Sequence, residues 1–155
     1  WVAVSALEAP LLSRGALPLP PGLNSAARLV IGLARRYQRL LRRHLEYPPV
    51  DADILLAGDT TLEPLGFAAR VLATPGHTAG SLTVLTADGQ ACVGDLAVNL
   101  RPGGQGPYLP PFGDSPGQIR ESWKRLRQAG ARVIRPAHGR PFAAPRLDRW
   151  LCGPE

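Results

Sequence analysis

The chain has 155 residues, of which 45% are hydrophobic and 19% charged, and it carries a formal net charge of +6. This composition excludes an intrinsically disordered chain, and the length predicts a single domain over residues 1–155 with a buried hydrophobic core. No apolar run approaches the roughly 20 residues of a transmembrane helix, so we expect no membrane span.

The first part of the chain predicts one strand and two helices. Residues 1–5 alternate in polarity and suit a short strand, and residues 6–13 suit a short helix that Gly15 ends. Asn24 is a suitable N-cap for a second, longer helix over residues 24–44.

This longer helix is amphipathic and basic. The apolar residues at helical spacing are Leu29, Val30, Leu33, Tyr37, Leu40 and Leu41, and the arginines, mostly on the other side, are Arg28, Arg35, Arg36, Arg39, Arg42 and Arg43. We expect the apolar stripe to be buried, the arginines to face solvent, and His44 to lie near the helix C-terminus. Because no aromatic residues are interleaved for base stacking, we do not expect nucleic acid as a partner. Because such a helix usually has a solvated face over a buried stripe, we do not expect a membrane surface either.

Short strands follow, and their ends carry residues that suit a metal site. Strands are predicted over residues 53–56, 67–73, 81–86 and 90–93, with a hairpin turn at Asp88-Gly89. His77 lies in the connection after the second of these strands, and Asp95 follows the last one. The sequence therefore brings a histidine and a carboxylate to the ends of neighbouring strands.

The last third of the chain supplies a loop, a helix and a second histidine. Residues 99–117 form a long loop rich in Pro and Gly, in which Tyr108 and Phe112 are candidates for a substrate-side wall. A helix is predicted over residues 118–128, and a strand over residues 132–135 places His138 in the loop beyond it. A closing helical turn is predicted over residues 145–151.

His77, Asp95 and His138 are the candidate metal ligands. Zinc in a hydrolytic site prefers histidine nitrogen and carboxylate oxygen, with one position left open for water. Gly76 permits a tight turn that aims His77 along the sheet edge, and the flexible Gly94 precedes Asp95. No catalytic residue beyond these three ligands is predicted.

The order of these residues resembles the second half of the metallo-β-lactamase fold superfamily. The resemblance rests on Thr74-Pro75-Gly76-His77-Thr78-Ala79-Gly80-Ser81, then Gly94-Asp95, then Pro136-Ala137-His138-Gly139. It implies an α/β fold, a metallo-β-lactamase-like αββα sandwich of two packed sheets with helices outside. It also implies two zinc ions, the first bound by His77, the second by His138, and both bridged by Asp95. The implied reaction is hydrolysis of an ester, thioester or lactone-like small molecule by metal-bound hydroxide.

One part of the family pattern is absent from this chain. Family members carry a His-x-His-x-Asp-His motif that supplies further ligands to each metal, whereas the remaining histidine here is His44. The chain starts at Trp1 without a methionine, which predicts a fragment that lacks the N-terminal strands. Each metal would keep two protein ligands where catalytic zinc usually has three, so we expect weak zinc binding and no activity from this chain.

Several alternatives remain open at this point. The chain could be a degenerate, non-catalytic binding or structural protein that retains the fold, or a relative that processes nucleic acid. One metal ion could instead be shared by all three candidate ligands. The incomplete sandwich should retain at most one strand of its second sheet, and the exposed sheet would favour self-association.

The two cysteines give only weak information. Cys92 and Cys152 are too few for a disulfide framework, which leaves the cytoplasm as the expected compartment. We expect Cys92 to be a small core residue that faces inward beside Asp95.

Overall fold

A computed structural model describes residues 1–15, 18–40, 46–100 and 106–151. Its strands are β1 (Ala3–Ser5), β2 (Ile54–Leu56), β3 (Thr60–Thr61), β4 (Ala69–Ala73), β5 (Leu82–Thr86), β6 (Gln90–Asn99), β7 (Val133–Gly139) and β8 (Phe142–Ala143). Its helices are α1 (Ala9–Arg14), α2 (Ser25–Arg36), α3 (Pro116–Gln128) and α4 (Asp148–Leu151), with 3-10 turns at Glu63–Leu65 and Ala144–Leu147. The predictions for Leu41, Arg42, Arg43, His44 and Cys152 lie outside the described residues.

The strands form two sheets in the described part of the chain. One sheet has the order β3-β4-β5-β6-β7-β8, and only its β6–β7 pair is parallel. The other pairs β1 with β2 in parallel, with Ala3 opposite Ile54. The expectation of at most one retained strand in the second sheet is therefore wrong. The missed pairing joins segments about fifty residues apart, which local periodicity does not encode.

The core lies between the six-stranded sheet and α3. Ser115 caps α3 by accepting a hydrogen bond from the amide of Gln118, and Pro116 occupies the first turn. The side chains of Ile119, Trp123 and Leu126 then fall on one helix face and have no exposed surface. They pack against the sheet residues Leu72, Leu85, Ala91, Val93 and Ile134.

Two strands extend further than the sequence indicates. Strand β6 runs to Asn99, so Asp95 lies within the strand and not after it, and β7 runs to Gly139 and includes His138. The pairing of β6 with β7 shifts register between Cys92 and Gly94 and again between Gly94 and Val98. These irregularities interrupt the alternation of buried and exposed residues by which a strand is recognised in a sequence. The sequence therefore predicts both strands too short.

Cys92 does not face the core. Its neighbours Ala91 and Val93 are 0% and 2% exposed, whereas Cys92 itself is exposed. Successive strand residues point to opposite faces of a sheet, and α3 covers the face that Ala91 and Val93 share. The expectation that Cys92 is a core residue is therefore wrong. The opposite sheet face is open at this position, which leaves self-association through the sheet as a prediction.

Helix α2 buries a different face from the expected one. Asn24 caps the helix as predicted, since its side chain accepts a hydrogen bond from the amide of Ala27. The buried residues of α2 are Ala27 and Ile31, however, whereas Leu29 and Leu33 are 66% and 52% exposed. The two pairs are offset by two residues, or about 200° around the helix axis, so they lie on opposite sides. The predicted burial of the apolar stripe is wrong.

The long helix predicted over residues 24–44 is also interrupted. Helix α2 ends at Arg36, and Tyr37 has a φ of -104° and a ψ of 20°, outside the α region. Residues 38–40 are helical again. In the described ranges, no helix is long and apolar enough to cross a membrane.

Candidate metal centre

The loop that carries His77 is fixed by short polar contacts at both of its ends. The hydroxyls of Thr74 and Thr83 lie 2.9 Å apart in a fully buried pair, and the amide of Thr78 donates to the hydroxyl of Ser81 at 3.0 Å. The Ser122 hydroxyl of α3 donates to the carbonyl of Pro75 at 2.7 Å. Because strand and helix both hold the loop, the position of His77 is set by the core of the protein.

Gly76 is the residue that allows this loop to lie against α3. It has a φ of +135°, which side chains of L-residues rarely permit, and a Cβ built on it would lie 2.5 Å from the amide nitrogen of Ile119. Its carbonyl accepts from the amides of Asp114 and Ser115 at 3.0 and 2.9 Å. The glycine in this motif is thus required by both conformation and space.

Gly76→Ala is expected to destabilise the protein by more than about 1–3 kcal/mol, the usual cost of one strained backbone residue, because the new methyl group also collides with α3. Thermal or urea unfolding followed by circular dichroism measures the change. Gly32→Ala in α2 is the matched control, since a Cβ there has no neighbour within 4 Å. It should increase stability by up to about 1 kcal/mol. Equal stability of Gly76→Ala and the parent chain would contradict this account of the loop.

The orientation of the His77 ring is set by the loop that follows β6. The Nδ1 atom of His77 lies 2.9 Å from the carbonyl oxygen of Phe112. A carbonyl oxygen can only accept, so Nδ1 carries the proton and Nε2 of the neutral ring presents a lone pair. The loop is itself joined to the start of α2, because the amide of Leu23 donates to the carbonyl of Pro111 at 2.8 Å.

Asp95 lies between the two histidines. Its Oδ2 atom is 3.8 Å from Nε2 of His77, and its Oδ1 atom is 3.4 Å from Nε2 of His138. The side chain of His77 is 21% exposed, that of Asp95 38% and that of His138 63%. The structure thus brings together the three residues that the sequence singled out, with one carboxylate oxygen toward each imidazole.

An irregular stretch of β6 produces this arrangement. Gly94 pairs with Pro136 and Val98 pairs with His138, so β6 has more residues than β7 between the same two rungs. Asp95 is the first residue of this bulge, and it follows Gly94, whose φ is +55°. A bulge re-aims the side chains within it, which brings the carboxylate of Asp95 to the side chain of His138.

Asp95 presents one carboxylate oxygen to each histidine, and whether one or two metal ions bind there stays a prediction. Within the described ranges, no group of three His, Cys, Asp or Glu residues is arranged to hold one ion. The Oδ1 atom of Asp95, in contrast, is buried and has no hydrogen-bond partner among the described residues. A buried carboxylate oxygen without a donor fits a position next to a cation.

Sequence reasoning missed two groups that hold the His77 loop. The first is the Phe112 carbonyl, which acts through the backbone and has no sequence signature. The second is Glu8, whose Oε1 accepts from the amide of Gly80 at 3.2 Å. Glu8 and Gly80 are 72 positions apart, and only the three-dimensional fold brings them together. Tyr108 pairs with Val98 through the backbone, beside the end of β6, and its role as a substrate-side residue stays a prediction.

Comparisons with known proteins identify the fold. No family model and no curated protein matches the chain. A metallo-β-lactamase superfamily protein from the archaeon Sulfolobus tokodaii aligns over 97% of this chain and 56% of its own, with a TM-score of 0.58 and 19% identity. BLEG-1, a B3 metallo-β-lactamase, aligns over 98% of this chain and 65% of its own, with a TM-score of 0.62 and 19% identity. TTHA1623, solved in a di-iron-bound form, aligns over 96% of this chain and 62% of its own, with a TM-score of 0.56 and 23% identity.

These alignments confirm the predicted fold class. The chain has the α/β metallo-β-lactamase fold, and it spans between 56% and 65% of the length of the three structures. At identities this low, structural likeness establishes architecture and leaves chemistry to be argued from the residues of the site.

Proposed function

We propose that His77, Asp95 and His138 are ligands of a two-metal centre whose chemistry is metal-dependent hydrolysis of the metallo-β-lactamase type, and that this chain alone lacks the ligands needed for turnover. The observation that carries the proposal is the position of Asp95, with Oδ2 toward His77 and Oδ1 toward His138. A carboxylate between two imidazoles is the arrangement needed to bridge two cations, and the unpartnered Oδ1 supports it. The metallo-β-lactamase fold is consistent with this chemistry.

The residues of the chain fit zinc, which prefers nitrogen and oxygen donors. Zinc supplies a Lewis acid that polarises a carbonyl and activates water near neutral pH. His77 would contribute Nε2 to the first ion, since its Nδ1 is held by the Phe112 carbonyl. His138 would contribute to the second ion, and Asp95 to both. The negative charge of Asp95 also helps to offset the charge of two cations.

The substrate class follows from the proposed chemistry and from the resemblance of the Thr74 to Ser81 motif. We favour a small ester, thioester or lactone over a β-lactam. The loop over residues 106–115 would form a wall of the substrate site, because its Phe112 carbonyl contacts His77 directly. Tyr108 and the Phe112 ring are the candidate substrate contacts, and both side chains are partly buried.

The 155-residue chain is expected to bind zinc weakly and to hydrolyse none of these substrates. Each ion would have two protein ligands, whereas a catalytic zinc site usually has three. After dialysis against metal-free buffer, elemental analysis should find far less than one zinc ion per chain. The double variant His77→Ala/His138→Ala gives the background value for the same measurement.

Activity on an aryl ester, an acyl thioester, an N-acyl lactone and a chromogenic β-lactam would be measured with zinc or iron(II) added in excess. We expect no turnover above buffer for any of the four. One or two tightly held zinc ions per chain, or turnover that the double variant lacks, would show that this chain holds a complete site.

A further inference from the structure

Helix α2 presents an apolar stripe to solvent. Leu29, Val30 and Leu33 are 66%, 54% and 52% exposed, and just beyond the helix Tyr37 and Leu40 are 52% and 77% exposed. Leu29 and Leu33 lie on the side of the helix opposite its buried residues, and Val30 lies between the two sides. A contiguous group of large apolar side chains at this exposure indicates a surface that binds something other than water.

The same helix carries exposed arginines along the edge of the stripe. On an α-helix, successive residues are rotated by about 100°, which places Arg36 at nearly the same angle as Leu29, two turns further along the helix. Arg28 and Arg35 lie further around the helix on this side, and Arg39 lies just beyond its end. All four arginines are exposed, and the basic edge and the apolar stripe together occupy most of the helix surface that faces away from the protein.

The helix is held in place before any partner arrives. Asn24 caps its first turn, and Ala27 and Ile31 bury it against the body of the protein. The segment before the helix is tied to the loop after β6, since the amide of Gly113 donates to the carbonyl of Pro21 at 3.0 Å. A partner would therefore meet a preformed surface, and little conformational entropy would be lost on binding.

The chemistry of this surface decides between partners. Arginines call for a negatively charged partner, and the whole chain has a formal net charge of +6, which disfavours a second copy of itself. RNA would satisfy the arginines but leave Leu29, Leu33 and Leu40 in water, because aliphatic side chains do not stack on bases. An anionic bilayer fits both kinds of side chain. Its headgroups pair with the arginines, and the boundary of its acyl chains buries the leucines.

We propose that α2 is an interfacial helix that docks the protein on an anionic lipid surface. The stripe from Leu29 to Leu40 enters the headgroup boundary, and Arg36 and Arg39 contact lipid phosphates. The sequence argument against a membrane partner assumed that this stripe was buried, and the structure removes that assumption. The inference is independent of the proposed metal chemistry.

Flotation with lipid vesicles tests the apolar part of the proposal. The chain should float with vesicles of phosphatidylglycerol and phosphatidylcholine at physiological salt, and not with phosphatidylcholine alone. Leu29→Ser/Leu33→Ser should weaken this binding at least about tenfold. Leu7→Ser/Leu65→Ser is the matched control, because these leucines are 66% and 50% exposed outside α2. The control should float like the parent chain, and all variants should unfold at the same temperature, since exposed residues are replaced.

Arg36→Gln/Arg39→Gln tests the basic part, with Arg14→Gln/Arg132→Gln as a control of equal charge. The first pair should weaken vesicle binding about thirtyfold more than the second, since each of its two cations near an anionic surface contributes about 1 kcal/mol. The proposal is wrong if the chain does not float with anionic vesicles. It is also wrong if Leu29→Ser/Leu33→Ser floats as well as the parent and the Leu7→Ser/Leu65→Ser control. It is also wrong if Leu29→Ser/Leu33→Ser instead abolishes a dimer, or if single-stranded RNA binds the chain while anionic vesicles do not.

Discussion

Asp95→Asn should raise the Kd of the chain for zinc by at least about tenfold, to the point where titration calorimetry detects no binding. The amide keeps the shape of the carboxylate but removes the charge that faces both imidazoles, at 3.8 Å from His77 and 3.4 Å from His138. It also replaces one oxygen by an NH₂ group, which cannot ligate a cation. One proposed ion position would therefore lose its oxygen ligand, and the other would keep only a neutral amide oxygen in place of a charged carboxylate oxygen.

The stability of the same variant separates a ligand from a structural residue. The Oδ1 atom of Asp95 is buried and has no hydrogen-bond partner among the described residues. The imidazoles at 3.8 and 3.4 Å are partly exposed and make only weak ion pairs, so the carboxylate adds little stability to the metal-free fold. We expect Asp95→Asn to unfold at or above the temperature of the parent chain. Glu121→Gln is the control, since Glu121 is 76% exposed on α3 and should bind zinc like the parent. A lower unfolding temperature of Asp95→Asn, together with an unchanged zinc affinity, would show that Asp95 is a purely structural residue.

Trp123→Ala should destabilise the chain by about 3–5 kcal/mol, which is a large part of the stability of an ordinary domain. The Trp123 side chain has no exposed surface and packs in the core cluster. Its ring makes an edge-on contact with the ring of Trp150, with the ring centroids 6.4 Å apart. Its Nε1 atom donates to the carbonyl of Leu96 at 3.0 Å, next in sequence to Asp95. The residue therefore supports both the core and the strand segment of the candidate site.

Denaturant unfolding of three variants isolates these contributions. Trp1→Ala makes the same change at a side chain that is 99% exposed, and it should alter stability by no more than about 0.5 kcal/mol. Trp123→Phe keeps most of the packing but removes the donor, which should cost about 1–3 kcal/mol. If Trp123→Ala unfolds like Trp1→Ala, the core assigned to α3 and the six-stranded sheet is wrong.

The sequence predicted the parts of the fold that local patterns encode. The hairpin at Asp88-Gly89 is present, with a φ of +86° at Gly89, and the alternation of β5 and the period of α3 match their burial. The three candidate ligands also come together, although Asp95 and His138 lie within β6 and β7 and not beyond their ends. In this motif, Gly76 predicts the backbone turn and His77 predicts the candidate ligand.

The parts that the sequence did not predict depend on contacts between distant segments. The bulge in β6 extends the strand through Asp95, and its cause is the parallel partner β7, forty residues later in the chain. The face that α2 buries depends on which side of the helix meets the protein body. Its apolar arc is wide enough to include both Ala27 and Leu29, so periodicity could not choose between them.

The central claim is that Asp95 bridges two metal positions, one shared with His77 and one with His138. A crystal of the chain soaked in excess zinc, measured at the zinc absorption edge, tests it directly even when binding is weak. The account predicts two anomalous peaks, one between His77 Nε2 and Asp95 Oδ2 and the other between Asp95 Oδ1 and His138 Nε2. Zinc found elsewhere on the protein, with no anomalous peak beside Asp95, would contradict it.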